Sequence, residues 1–175
     1  MDSKHPEAVR LHKSLLSNNA DRKTADKIAF GVRLSDNPSL EEREEWIKHI
    51  TVNLETQFDA EKIKAIRMGC RCNLGIDDYK KNMKELYGQC NNLEEFAGKV
   101  DNYYTDNGKL YVRYDHCPCP FLKDSKMPLS ATWCYCTLGY MKAWGEYVFE
   151  KEVETNLLKS IKAGDDICLV EISFP

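Results

Sequence analysis

Through the first hundred positions, apolar residues recur at helical spacing. After Pro6, the residues Val9, Leu11, His12, Leu15 and Leu16 give a short amphipathic segment, and after Asp21 the residues Ala25, Ile28, Ala29 and Val32 repeat at the three- and four-residue steps of a second. Ser39-Leu40-Glu41-Glu42 has the form of a capping box, in which the serine hydroxyl accepts a backbone N–H and the glutamate reaches back to the cap. It opens the clearest helix in the chain. Trp46, Ile47, Ile50, Leu54 and Phe58 share one stripe, and acids sit in the first turn, where the helix dipole favours them. Asp59 is placed to cap a further helix through Ile63 and Ile66, which Gly69 can end. Residues 77–87 and 93–100 predict two more helical pieces, parted by Gly88 and Asn91-Asn92.

The texture then changes. Residues 102–108 read as a turn-rich stretch, and residues 109–114 alternate with the period of two of a half-buried strand. Thr132-Trp133-Cys134-Tyr135-Cys136 leads into a helix with the stripe Leu138, Met141, Trp144, Tyr147 and Val148, opposed by Lys142, Glu146 and Glu150. Residues 153–158 and 167–174 predict closing strands around the turn Ala163-Gly164-Asp165-Asp166. No repeat, low-complexity tract or linker divides the chain. The pattern predicts one α+β domain over residues 1–175, with a helical N-terminal half (residues 1–100) packed on an antiparallel sheet. Residues 101–175 supply most of that sheet and carry the ligand or metal site.

Composition narrows the partners. A chain of 175 residues, 30% charged and 42% hydrophobic, is an ordinary globular mixture. The net charge is −3, and basic residues interleave with acids, so no phosphate-neutralising face emerges and nucleic acid is not an expected partner. No apolar run approaches the ~20 residues that span a bilayer. The opening Met-Asp-Ser-Lys-His-Pro is polar, which points to a cytoplasmic location. Thiols are kept reduced there, so the eight cysteines favour metal or thiol chemistry over a disulfide framework.

Six of those cysteines form three Cys-x-Cys pairs, Cys70/Cys72, Cys117/Cys119 and Cys134/Cys136, each at a predicted element boundary. In extended backbone, residues two apart point the same way, so each pair can offer two sulfurs to one soft ion. A tetrahedral site needs about four ligands, so at least two pairs must meet. The short connection from 121 to 131 makes Cys117/Cys119 and Cys134/Cys136 the expected couple, joined or covered by Cys70/Cys72. Zinc and an iron–sulfur cluster are the candidate cofactors. Cys134 and Cys136, at a helix start, are also candidate nucleophiles, because unpaired amides there lower a thiol pKa. Cys90 and Cys168 read as packing residues, and His116 as a surface residue beside a strand end. Tyr111, Trp133, Tyr135, Tyr140, Trp144 and Tyr147 are either pocket lining or plain core.

The C-terminal order of a Cys-Pro segment, a cysteine-bearing helix start, a strand, and Gly164-Asp165-Asp166-Ile167-Cys168 running into Leu169-Val170-Glu171-Ile172 resembles the vinyl-reductase-like or hydrocarbon-binding domains. Those share a fold with transport-particle subunits, haem-based nitric oxide sensors and aminothiazoline-carboxylate hydrolase-like proteins. The resemblance implies helices on an antiparallel sheet with a small-molecule pocket between them, and several such relatives bear zinc through cysteines. The three Cys-x-Cys pairs and the helical first half depart from that pattern. The leading expectation is a cysteine-rich small-molecule-binding or sensor domain holding a metal, with a small apolar or aromatic ligand as partner and homodimer formation left open. A cysteine-dependent hydrolase or thiol redox enzyme, and a non-catalytic assembly subunit, are the alternatives.

Overall fold

The computed structural model of the protein describes residues 4–72, 75–122 and 124–175; the polar opening at Met1 to Ser3 lies outside the described residues. Helix α1 (Pro6–Ser17) starts with proline in its first turn, where the missing N–H costs nothing. In α2 (Arg22–Phe30) the Asp21 carboxylate accepts from the Thr24 N–H, and in α4 (Ala60–Gly69) Asp59 does the same for Lys62. Both halves of the capping box form at α3 (Leu40–Gln57), with Ser39 Oγ accepting from Glu42 N and Glu42 accepting from Ser39 N. Two further helices follow, α5 (Ile76–Gly88) and α6 (Leu93–Gly98).

Strands β1 (Tyr103–Asp106) and β2 (Lys109–Tyr114) form a hairpin that replaces the expected turn-rich stretch. The turn at its tip is Asn107-Gly108, with φ of 48° and 74°, the left-handed pair that matches strand twist. The chain then passes through residues 115–130 to α7 (Ala131–Phe149), β3 (Glu154–Lys159), a 3-10 turn (Ile161–Ala163) and β4 (Cys168–Ser173). Gly164 takes φ 106°, open to glycine, and the Asp165 carboxylate accepts from the Ser160 N–H to close the turn. The sheet is antiparallel throughout, ordered β1-β2-β4-β3. The fold is therefore α+β, with a helical first half and the sheet in the second.

Two apolar clusters fill the interior. One joins α1 to α4 and includes Trp46, Ile50, Leu54 and Ile66, with Leu122 and Trp133 from the second half. The other packs Leu110, Val112, Val170 and Ile172 of the sheet against Leu138, Met141, Trp144 and Val148 of α7, with Phe96 of α6. Helix α7 thus lends its first turn to one core and the rest to the other, and Tyr135 packs against both. The crossing of α4 over α7 is very close: a Cβ on Gly139 would lie 2.1 Å from the Met68 carbonyl oxygen. Gly69 lies equally tight against Ser14 of α1, whose hydroxyl donates to the Ile66 carbonyl at 2.6 Å. These contacts bring the end of α4 to the start of α7. Among the described residues, no helix is long and apolar enough to cross a membrane.

Candidate functional site

At that meeting point, α4 ends with Cys70 as its C-cap, α7 begins just before Cys134 and Cys136, and residues 117–122 cross between them. A cavity of about 480 Å³ opens here, lined by Glu7 and Arg10 of α1, Arg67, Cys70 and Cys72, then Cys119, Phe121, Trp133 and Cys136. On the sheet side of the same wall lies a small cavity of about 30 Å³, lined by Cys117, Cys119, Cys134, Cys136 and Cys168 with Tyr114, Leu122, Ser160 and Lys162. A third recess joins Cys72, Cys119 and Cys136 to Tyr114 and Tyr140. All six paired cysteines line one or more of these spaces, and Cys119 and Cys136 line all three.

The chemistry of the wall is set by Arg67, only 3% exposed. Its guanidinium donates to the Trp133 carbonyl at 2.8 Å, to Cys70 Sγ at 3.1 Å and to the Thr132 carbonyl at 3.4 Å, and it lies 4.2 Å over the Trp133 ring. No carboxylate accepts from it among the described residues. Glu7, the one acid on the cavity among the described residues, is hydrogen-bonded to Arg10. Cys70 in turn donates its S–H to the Arg67 carbonyl. Among the described residues, Arg10 Nε has no hydrogen-bond partner, and the indole N–H of Trp133 has only the weakly accepting Cys119 thiol beside it.

Burial dominates the thiols. It pushes Cys70 up to about 11 against the partial relief that Arg67 gives, and Cys119 up to about 12. Cys134 rises to about 11 although it contacts Ser160 Oγ at 3.3 Å, and Cys136 is raised likewise. Burial thus opposes the expected activation of Cys134 and Cys136 by a helix start. These two occupy the fourth and sixth positions of α7, and burial is the largest influence on both thiols.

Nor do the sulfurs fit a resident metal as they stand. Among the described residues, no group of three or more His, Cys, Asp or Glu side chains is arranged to hold a metal ion. A fixed guanidinium already donates to one of the sulfurs, where a metal ligand would be a thiolate facing the ion. His116 is exposed, as its place beside a strand end suggested.

The aromatic candidates separate. Trp133 is 5% exposed, stacks on Phe121 at 6.1 Å and lines both cavities, and Tyr140 lines the third recess. Tyr111 instead alternates to the outer face of the sheet, stacks on Tyr104 at 5.1 Å and donates to Glu171. Trp144 is fully buried in the sheet-side core, its indole donating to Met141 Sδ, and Tyr147 is 46% exposed under Lys80 and Lys84. Cys168 is buried on the small cavity, opposite Tyr114 in the sheet register. Cys90 packs at the edge of the sheet-side core.

Glu7, Arg10 and Arg67 are site residues that the cysteine spacing does not announce. Arg67 had one available signal: it stands four residues after Ile63 on the buried face of α4, and a cation on an apolar stripe is out of pattern. No curated protein and no solved structure matches the chain significantly. A family model does match, over residues 7–174 and so across both cores and the cavity wall, and the protein accordingly belongs to the family of unknown function DUF6144.

Proposed function

We propose that the protein is a non-catalytic small-molecule-binding domain whose site is the cavity between α1, α4 and the start of α7. The observation that carries this reading is the cavity itself. At about 480 Å³ it has the size of a cofactor or metabolite pocket, and it combines aromatic and proline walls with a few converging polar groups. In this reading the cysteines are neutral, polarisable wall groups that suit an apolar or aromatic ligand. Their raised pKa values weigh against a nucleophile.

Indole and phenol are suitable neutral probes. Calorimetry and amide chemical-shift mapping should give saturable one-to-one binding, with shifts confined to α1, the end of α4, residues 117–122 and the first turns of α7. Cys136→Phe fills the cavity and should abolish it. Binding that survives Cys136→Phe, or that maps elsewhere, would refute the reading. A large fall in melting temperature on treatment with a chelator would favour the metal-holding alternative instead.

A further inference from the structure

The polar groups on this cavity are unbalanced in one direction. Arg67 uses three of its N–H donors on two carbonyls and a thiol, leaving two of the usual five. Arg10 pairs with Glu7 through its terminal nitrogen, and its buried Nε has no partner among the described residues. Trp133 is 5% exposed, and among the described residues its indole N–H meets no oxygen acceptor, only the weakly accepting Cys119 thiol. Among the described residues, the charges on the wall are two guanidinium cations against one carboxylate. A buried cation without an anion is costly, as are buried donors without acceptors, so the site is complete only when an acceptor-rich anion enters.

We propose, building on the binding reading above, that the ligand is a small carboxylate with an aromatic-sized apolar body. Its carboxylate oxygens take up the spare N–H groups of Arg10, Arg67 and Trp133. The planar guanidinium suits a carboxylate, and the body lies along Phe121, Pro120 and the Cys119 and Cys136 sulfurs. The thiols take no covalent part.

Matched acid and amide pairs test this directly: benzoate against benzamide, and indole-3-carboxylate against indole-3-carboxamide, titrated calorimetrically into the full-length protein at neutral pH. The acids should bind about tenfold or more tightly than their amides, with an affinity that falls as salt rises. Trp133→Phe keeps a ring but removes the N–H, and Arg10→Gln removes one cation. Each should weaken the acid roughly three- to tenfold, and by more than it weakens the amide. Arg10→Gln stays informative if Trp133→Phe fails to fold, because Arg10 is partly exposed on α1. Equal affinity for acid and amide would overturn the carboxylate inference while leaving the binding domain intact. No binding of either class at millimolar concentration would overturn both.

Discussion

Two cavities share Cys119, Trp133 and Cys136 as a common wall, yet their other sides are chemically opposite. The helix-side cavity, about 480 Å³, faces Glu7, Arg10 and Arg67. The sheet-side one, about 30 Å³, faces Leu122, Leu157 and Val170, and its buried Lys162 is already satisfied by donating to the Ser125 carbonyl. The sheet-side space holds at most about one water and behaves as core. Among the described residues, the helix-side space has one cation more than carboxylates, and it has room. The same row of thiols therefore does two jobs, packing on one side and lining a site on the other, and spacing alone cannot distinguish them.

The largest expected effect removes the common wall. Gly139→Ala forces a Cβ to within 2.1 Å of the Met68 carbonyl, so α4 must move off α7; denaturant unfolding should show a loss of about 3 kcal/mol or more, with loss of probe binding. A neutral outcome would mean that the helix crossing does not hold the site together. Next, Leu122→Ala on the sheet side should cost about 2–4 kcal/mol, because Leu122 is fully buried. Phe121→Ala, on the half-buried helix side, should cost about half as much but weaken ligand binding more. Equal costs with equal effects on binding would erase the distinction between the two cavities.

A smaller effect appears with pH. Cys70, Cys119 and Cys134 bind their protons more tightly in the folded state than at the usual 9.0, so their contribution to stability is complete below about pH 9 and is lost as pH rises through about 11 to 12. Unfolding curves across that range should lose on the order of 1–3 kcal/mol, and Cys119→Ala should flatten the fall. The smallest perturbation is kinetic. Iodoacetamide at pH 8, read by peptide mass spectrometry, should label Cys70, Cys119 and Cys134 roughly 100-fold more slowly in native than in unfolded protein. One fast-labelling residue among Cys134 and Cys136 would restore the nucleophile.

What the sequence disclosed was local. The capping box at Ser39, the Asp21 and Asp59 caps and the stripe of α3 depend on contacts three or four residues apart, and all are present. Strand β1 was hidden because its four residues carry little alternation of their own, although Asn107-Gly108 is a strong hairpin signal. The pairs at 70/72, 117/119 and 134/136 could be singled out by spacing, but the residues that give the cavity its charge could not. Glu7 and Arg10 read as an ordinary helix-surface pair, and only the approach of α1 to α4, tight at Gly69, turns them inward. The thiol pKa values depend on the same tertiary burial, which a helix-start argument for Cys134 and Cys136 does not contain.

The central claim, that these cysteines are neutral thiols around a cation-bearing cavity, is tested most directly by thiolate absorbance near 240 nm. Protein purified without oxygen would be titrated from pH 6 to pH 12, with elemental analysis of the same sample. The account predicts that Cys70, Cys119 and Cys134 contribute no thiolate signal until about pH 11, shown by its loss in the corresponding alanine variants, and that no metal is present in stoichiometric amount. Thiolate absorbance from any of the three near neutral pH, or one zinc or iron–sulfur centre per chain lost together with Cys119→Ala, would contradict it.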